Sequence, residues 1–500
     1  MAEAFVEERQ LLKSLRWWDG FVIALCNPGF LIASLGFSMG ALGTWGAVFL
    51  WAVSAAVGML QTWIYAETAA MFPDKPGGIS LYAHEGWRGR FSLVGPIGAF
   101  GYWIGWSVVL SIFGVLIGDL IQAQWFSGST WTVYDGVVHL GLPQFIAVGA
   151  IVLVWALNIF GLRPAVWISY ITGLGLMVPL AIFIIGPYLT GNWHSSNMTW
   201  ELHGFSGFKL AMVYLFLFGW SSYAAEICAT FAPEYHDTRR DTTIALRSAG
   251  VFTLLVFLLF PLGIGGVSGA PSAATASGQF YVPALAKIVG SGAAGVIIVL
   301  LIGSLLLSMI SSTADGSRAL YGIARDDMTV KQLFHLNRYH VPARAMTVDL
   351  VVNVLLVLFI ANNLAILYLS NIGYMLSHVF ALSGFLLLRK DRPNWPRPLK
   401  VTAPWVAMAA VLMVYNAVIL VVGAGAPKLN GYGDWTDFFI GVGILIASVL
   451  LFFYRRIVED KESIHWKEST PTMPEGADRE ALIQAGWTPD RTATAVPVGT

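Results

Sequence analysis

Three long stretches of the sequence contain no Asp, Glu, Lys or Arg, and they limit what the chain can fold into. They are residues 91–118, 164–200 and 248–286. A helix of about 20 apolar residues crosses the hydrocarbon core of a bilayer, which is about 30 Å thick. Inside lipid each backbone amide must be hydrogen-bonded within a helix or a closed barrel, and long apolar runs without alternation favour helices. The sequence therefore predicts an all-α integral membrane protein.

Composition excludes several classes of function. Hydrophobic residues make up 56% of the chain and charged residues 12%, whereas soluble domains average about 25% charged residues. The formal net charge is zero, so the overall charge does not attract nucleic acid. The sequence shows no disulfide framework, zinc-ligand spacing, phosphate-binding loop or nucleophile–base pair at membrane depth. We therefore predict no enzyme activity, no metal, no cofactor and no nucleic-acid partner.

Twelve membrane spans are predicted, in two halves of similar length followed by a final pair. The spans are residues 19–43, 45–72, 93–125, 143–162, 165–188, 209–232, 244–267, 293–324, 345–363, 366–388, 403–424 and 436–454. Spans 1–5 form a first repeat over residues 19–188, and spans 6–10 form a second repeat over residues 209–388. The last two spans cover residues 403–454. The segment 268–292, rich in Gly, Ser and Ala, is predicted to be a short amphipathic piece rather than a span.

The distribution of basic residues predicts the orientation. With the N-terminus inside, all but three of the 29 lysines and arginines lie on the cytosolic side, and the exceptions are Lys209, Lys287 and Lys428. Residues 1–18 then form a cytosolic arm, and residues 455–500 form a polar cytosolic tail that is expected to lack stable structure. We predict a multi-pass protein of the cell membrane, surrounded by lipid, with both termini cytoplasmic; the sequence leaves its oligomeric state open.

Two spans are interrupted at matching positions, five helices apart. The first contains Cys-Asn-Pro-Gly at residues 26–29, where proline removes a backbone donor and glycine weakens the turn. The sixth contains Gly-Trp-Ser-Ser at residues 219–222, followed by Glu226. A matched pair of interrupted helices is typical of transporters built from inverted repeats. The alternative is a structural kink in each helix, because Pro and Gly are common in membrane helices.

Interrupted helices expose backbone groups that suit a small zwitterion. Amides at a helix N-terminus attract a carboxylate, and carbonyls at a C-terminus attract an ammonium group. We predict that the substrate carboxylate meets the amides of residues 28–32, that its amine meets the carbonyls of residues 221–225, and that aromatic side chains close over it. The candidate substrate-binding residues are Cys26, Asn27, Pro28, Gly29, Phe30, Leu31, Ile32, Trp220, Ser221, Ser222, Tyr223, Ala224, Ala225 and Glu226.

Five stretches, in order along the chain, resemble the motifs of one transporter family. They are residues 65–82, 101–106, 158–163, 312–327 and 392–398. These stretches are similar to the amino acid–polyamine–organocation (APC) permeases. The resemblance implies a LeuT-type fold, in which ten helices form a five-plus-five inverted repeat and two further helices are peripheral. It also implies secondary active transport of small amino acids or related amines by alternating access, as an antiporter or a symporter.

The chain departs from the family pattern at two places that bear on substrate and coupling ion. Many relatives have Gly-x-Gly in the first break, where this chain has Cys-Asn-Pro-Gly at residues 26–29. This difference leaves the specificity open among amino acids, GABA, choline-like compounds and other small amines. Several proton-driven relatives carry a lysine in helix 5, whereas residues 164–208 contain no lysine or arginine.

Two carboxylates at membrane depth are candidates for proton coupling or gating. Glu226 follows the second break, and the resemblance matches it to the acidic position of the family. A carboxylate at this depth costs roughly 2.5 kcal/mol or more, which favours gating, proton exchange or amine recognition over a packing hydrogen bond. Asp119 lies late in the third span and could bind a substrate ammonium or face water in the outer vestibule.

A sodium site is the alternative to proton coupling. Ser308, Ser311 and Ser312 lie within about one turn of helix 8. With the backbone around Ala24 and Asn27 they offer oxygen ligands of the kind that coordinates sodium at broken helices. The competing interpretation is that these hydroxyls hydrogen-bond the backbone of their own helix.

Two other functions stay open at this point. A transporter for polyamines or other organic amines would use Glu226 and Asp119 as two acids in its pathway. A transporter-like membrane sensor would use the tail from residue 459 onward as its output. Competition by putrescine would reveal the first, and deletion of the tail would abolish signalling in the second.

Overall fold

A computed structural model describes residues 11–129, 131–135, 138–271, 280–360, 363–429 and 433–484. This part of the chain is built almost entirely from helices. The described strands are β1 (Thr132–Asp135) and β2 (His139–Gly141), which pair antiparallel between the third and fourth spans.

The first half contains eight helices. They are α1 (Trp17–Ala24), α2 (Asn27–Leu42), α3 (Thr44–Met71), α4 (Gly78–Trp87), α5 (Val94–Ser107), α6 (Val109–Trp125), α7 (Leu142–Ile159) and α8 (Leu162–Leu189). The first span is α1 with α2, and the third is α5 with α6. The helix α4 is short and lies in the connection between the second and third spans, where the sequence has Pro73 and the Gly77–Gly78 pair.

The second half repeats this order, and two spans follow it. Its helices are α9 (Gly204–Ser222), α10 (Ile227–Thr230), α11 (Thr238–Ser268), α12 (Tyr281–Val289), α13 (Ser291–Arg325), α14 (Ala343–Phe359) and α15 (Asn363–Asp391). Then come α16 (Ala403–Ala424), α17 (Trp435–Tyr454) and the short α18 (Gly476–Gln484). The helix α16 packs on α15 and α9, and α17 packs on α15 and α5, so both lie at the edge of the bundle.

Within the described residues, eleven helical segments are long and apolar enough to cross a membrane. The ninth predicted span, residues 345–363, is not among these eleven; it corresponds to α14, which has 17 residues and so stands at the lower limit of a spanning length. The predicted amphipathic piece in 268–292 is present as α12, which buries one face through Tyr281 and Leu285. The chain is an all-α, multi-pass membrane protein, as predicted.

A glycine contact brings α5 and α15 together in the middle of the bundle. A Cβ atom added to Gly101 would lie 2.4 Å from the carbonyl oxygen of Gly373. Small residues allow such close approach of membrane helices. The contact places the neighbouring rings of Tyr102 and Tyr374 side by side, with centroids 6.1 Å apart.

Both ends of the described chain lie on one face of the bundle, which we call the terminal face (residues 11–16, 455–484 and the loops that they contact). The backbone amides of Ser14 and Leu15 each donate to the carbonyl oxygen of Glu234 at 2.9 Å. At the other end, Arg456 pairs with Glu468 at 2.8 Å.

The proximal tail also contacts the connection between α4 and α5. Glu468 pairs with Arg88 at 3.1 Å, and the amide of Ser92 donates to the carbonyl oxygen of Trp466 at 2.9 Å. From its polar composition, the sequence predicts no stable structure for this tail. Residues 455–484 nevertheless make these contacts, because their charged side chains find partners in the folded chain. Residues 485–500, which the same expectation covers, lie outside the described residues, as do residues 1–10 of the arm.

Candidate functional site

The first predicted break is present in the structure. Helix α1 ends at Ala24, Leu25 and Cys26 form a turn, and α2 begins at Asn27. Pro28 falls in the first turn of α2, where its missing N–H leaves no hydrogen bond unmade. The amide donors predicted for residues 28–32 therefore begin at Gly29, whose N–H donates to the carbonyl of Cys26 at 3.1 Å.

The second break is present as well and lies against the first. Helix α9 ends at Ser222, a tight 3₁₀ turn covers Ala224–Glu226, and α10 continues from Ile227. The hydroxyl of Ser221 donates to the carbonyl of Phe30 at 3.3 Å.

The Asn27 side-chain amide bridges the two breaks. With its nitrogen toward α10, it donates to the carbonyl of Ala224 at 3.2 Å. Its oxygen then accepts from the amide of Ala225 at 3.3 Å and from the Thr253 hydroxyl at 2.8 Å. Asn27 thus binds one donor and one acceptor of the broken backbone. A ligand that reaches these groups has to displace Asn27.

Glu226 is fully buried at the second break. Its Oε1 accepts from the Tyr374 hydroxyl at 2.5 Å and from the Trp106 indole at 3.2 Å. Its Oε2 has no hydrogen-bond partner in the described part of the chain. No basic side chain among the described residues forms an ion pair with it. The carboxyl therefore keeps one oxygen available for a proton or a cationic group.

Aromatic rings pack against one another beside Glu226. The Phe30 ring lies 4.7 Å from Trp220, 5.4 Å from Trp106 and 5.2 Å from Phe113, measured between centroids. The Trp220 indole donates to the carbonyl of Gly105 at 2.8 Å. Such rings can hold the apolar part of a substrate or face an organic cation. The sequence predicts Phe30 and Trp220 here but not Trp106 and Phe113, which require the packing of α5 and α6.

Sequence reasoning missed two further buried acids. Asp315 on α13 and Asp349 on α14 are both fully buried. The Tyr102 hydroxyl donates to Asp315 at 3.1 Å, and the Trp103 indole donates to Asp349 at 2.6 Å. A signal was available, because Asp315 and Asp349 fall inside predicted spans, where an ionisable residue indicates a functional position.

The serines of α13 contact the first break. The hydroxyl of Ser308 donates to the carbonyl of Cys26 at 2.8 Å, and that of Ser311 donates to the carbonyl of Ile23 at 3.3 Å. The Ser312 hydroxyl is buried and has no partner within the described ranges. Ser308 and Ser311 thus contact carbonyls at the first break, whereas Asn27 contacts the second break. Within the described ranges no hydrogen bond joins Ala24 to these serines.

Asp119 lies apart from these groups. It is half-buried on α6, 13 residues beyond Trp106 in the same span. At 1.5 Å per residue, this places it about 20 Å from the side chain that binds Glu226. The structure therefore does not bring the two predicted acids together.

A buried ion pair closes the terminal face below the breaks. The Arg318 guanidinium is fully buried and binds both carboxylate oxygens of Glu234, at 2.5 and 3.0 Å. It also donates to the carbonyl of Ala314 at 2.7 Å and lies 4.8 Å from the centre of the Phe231 ring. Because the N-terminal arm binds the carbonyl of Glu234, the arm and this ion pair hold the same turn in place.

Two more buried carboxylates on this face are saturated with basic partners. Glu67 pairs with Arg389 and with Arg397. Glu85 on α4 pairs with Lys75 at 2.8 Å and with Arg392 at 2.7 Å. Burial alone would raise the pKa of Glu85, but these cations outweigh it and hold that pKa well below its usual range.

A histidine and an aspartate lie beside this network. Burial lowers the pKa of His84 to about 4, so its ring is neutral at physiological pH. Its Nε2 is 4.0 Å from the carboxylate of Asp326. Burial raises the pKa of Asp326 to about 6, against the opposing effect of Lys75.

Comparison with known proteins identifies the family. A family model described as amino acid permease matches residues 15–451. A search of curated proteins gives no significant match. The match covers both interrupted helices, the aromatic cluster and all the buried acids described above. The chain therefore belongs to the amino acid permease family, within the APC permeases.

Proposed function

We propose that this protein is a secondary active transporter of a small amino acid or a related amine, working by alternating access at the two helix breaks. The observation that carries the proposal is the meeting of both breaks beside Glu226, whose Oε2 has no partner among the described residues. The terminal face is then cytosolic, and the protein resides in the cell membrane.

The substrate amine would bind at Glu226 and at the carbonyls of residues 221–225. Its carboxylate, where it has one, would meet the start of α2 from Gly29 onward. Phe30 and Trp220 would then close over the apolar part of the substrate. Entry of the substrate displaces Asn27 from Ala224 and Ala225, so binding is coupled to movement of α2 against α10.

Release toward the cytosol requires the terminal face to open. The contact between Arg318 and Glu234 must break, and the arm at Leu15 must leave the turn that carries Glu234. The outer side is closed by the contact of Trp220 with Gly105 on α5. Rocking of the first and sixth spans against the third and eighth would open one side at a time.

We favour a mechanism in which transport is coupled to protons through Glu226. A buried carboxyl with tyrosine and indole donors and no basic partner can carry a proton in one state and face a substrate amine in another. Sodium is the alternative coupling ion, with Ser308, Ser311 and the carbonyls of Ile23 and Cys26 as its ligands. Those hydroxyls already satisfy these carbonyls, so sodium would have to insert between them.

A transporter of polyamines or other organic amines is the second candidate. It is favoured by three buried carboxyl groups that have no basic partner within the described ranges, those of Glu226, Asp315 and Asp349. An amine without a carboxylate would bind at Glu226 and leave the amides of α2 unused.

Thermal-shift binding of the purified protein decides among these functions. The panel contains amino acids, diamines and quaternary amines, each tested with and without sodium at two pH values. Stabilisation by one class of zwitterion supports the amino acid proposal, and stabilisation by diamines alone moves the organic-amine function to first place. Counterflow of the stabilising compound in proteoliposomes then tests transport itself, and its absence would overturn the proposal.

A further inference from the structure

Six buried acids in the membrane-spanning core and on the terminal face fall into two groups. Glu67, Glu85 and Glu234 each pair with one or more arginines or lysines. Glu226, Asp315 and Asp349 have no such ion pair in the described part of the chain. A buried carboxylate without a cation costs several kcal/mol or more, and protein acids avoid this cost by binding a proton.

Asp315 is the member of the second group that lies closest to the ion pair of the terminal face. One of its oxygens accepts from Tyr102, and the other has no hydrogen-bond partner among the described residues. The Thr230 hydroxyl of α10 lies 3.2 Å from the same Tyr102 hydroxyl. The carboxyl is therefore held by a neutral donor from α5, and Thr230 of α10 contacts that donor in turn.

Ionisable groups on several neighbouring elements interact with Asp315, including the hydroxyls of Tyr102 on α5 and Tyr374 on α15. Arg318 lies one turn further along α13, and Asp349 faces it from α14. Glu226 faces it from the second break, and the thiols of Cys26 and Cys228 face it from the two broken helices. Arg318 is thus the only cation in this set, and it is bound to Glu234.

Opening of the terminal face changes the partner that Arg318 can reach. When the turn bearing Glu234 moves away, the guanidinium loses both of its carboxylate contacts while α13 keeps it in the bundle. Uncompensated burial of this charge is expensive. Asp315 is three residues away on the same helix, at a spacing that lets an acid and an arginine meet.

We propose that Asp315 is a second proton-binding site, and that Arg318 exchanges Glu234 for Asp315 when the cytosolic side opens, which expels the proton. The O–H bond of the Asp315 carboxyl breaks, the proton passes to cytosolic water, and the carboxylate forms the new ion pair. Glu234 is left as a carboxylate in contact with water. The inference deepens the proposed transport function and rests on it for its role in coupling.

Infrared difference spectroscopy in detergent tests the protonation without any transport. Wild type minus Asp315→Asn at pH 7 is expected to show the C=O band of one protonated carboxyl. Repeating the subtraction in a Glu234→Gln background, where Arg318 has lost its partner, is expected to show a carboxylate band instead. Glu234→Asp is the control that keeps the original pair and the protonated band.

Two results would overturn the proposal. One is an ionised Asp315 in the wild type, and the other is a protonated band that persists after Glu234→Gln. If Asp315→Asn does not fold, Asp315→Glu keeps the proton site and is expected to shift the band without removing it. An unshifted band would then assign the signal to another acid.

Transport gives the second readout. In proteoliposomes, an inward proton gradient is expected to stimulate uptake at least tenfold less in Asp315→Asn than in wild type. Counterflow by the same variant is expected to be kept. Asp349→Asn, which removes a similar buried acid away from Arg318, is the matched control and is expected to keep the stimulation. Full stimulation in Asp315→Asn, or none in wild type, would contradict the proposal. If no compound is transported, the proposed function fails, and the infrared result still decides whether Asp315 carries a proton.

Discussion

The mid-membrane carboxyl of Glu226 is the residue on which the coupling mechanism depends most directly. Its Oε1 is held by Tyr374 and Trp106, so a glutamine at this position can keep both hydrogen bonds through its amide oxygen. The side chain would then keep its shape but lose its proton chemistry.

Glu226→Gln is therefore expected to flatten the pH dependence of uptake and to reduce gradient-driven uptake at least tenfold. Initial rates in proteoliposomes between pH 5 and pH 8 measure this effect. Asp119→Asn is the control, because Asp119 lies far from the breaks, and it is expected to retain the wild-type profile. A Glu226→Gln profile as steep as that of wild type would remove the carboxyl from the coupling mechanism.

Glu85 is a buried acid that stabilises the fold, in contrast to the coupling role proposed for Glu226. Glu85→Gln leaves Lys75 and Arg392 without their shared anion and is expected to lower the free energy of unfolding by about 3–5 kcal/mol. The pKa of Glu85 is lower in the folded protein than in the unfolded chain. Its contribution to the free energy of unfolding is therefore present above the unfolded-state pKa, and it is lost as the pH falls through the folded-state pKa. Asp391→Asn is the control, since the Arg90–Asp391 pair is largely exposed, and is expected to cost about 1 kcal/mol or less.

Asp326 is expected to show the opposite dependence on pH. Its pKa is raised to about 6, so its contribution to stability is present below the unfolded pKa and is lost as the pH rises from there through that value. Asp326→Asn is therefore expected to raise the melting temperature at pH 7.5, through a gain of about 3 kcal/mol or less, and to change it little at about pH 3. Thermal unfolding at both pH values measures this, and equal shifts at the two values would disagree with the titration of Asp326.

At the scale of helices, the close contact of α5 and α15 positions the tyrosines that hold two of the buried acids. Gly101→Ala places a methyl group 2.4 Å from the Gly373 carbonyl and must push the helices apart. We expect a loss of about 1–3 kcal/mol in stability and a larger loss of transport, because Tyr102 and Tyr374 move with their helices. Gly149→Ala on α7 is the control, since an added Cβ there meets no atom within 4 Å. Equal effects of the two variants on transport would show that the contact has no such role.

Both helix breaks could be predicted from the sequence, because proline, glycine and paired serines interrupt a helix locally. The contact between Asn27 and the backbone of α10 could not, since it depends on how two distant spans pack. The same holds for Trp106 and Tyr374, which reach Glu226 from different helices. Asp315 and Asp349 could have been found from their position inside apolar spans, but their donors could not. The docking of the tail on Arg88 likewise depends on charges that are far apart in the chain.

For the molecule as a whole, the terminal face is held together by contacts between segments from both ends and the middle of the chain. The arm binds the turn of Glu234, which binds Arg318. The tail binds the connection between α4 and α5, through Arg88 and Ser92. Helix α5 follows this connection and carries one donor to each of Asp315, Asp349 and Glu226. Movements at the terminal face are thus linked to the helix that supports all three acids.

The position of Glu468 also has a consequence for biosynthesis. A ribosome delivers Arg88 before helices α5 to α17 and Glu468 after them, so the contact between the two residues forms only once these helices have been synthesised. A nascent chain that stops short of Glu468 has these helices but lacks the carboxylate that pairs with Arg88. The ion pair thereby reports that the stretch from α5 to α17 has been made.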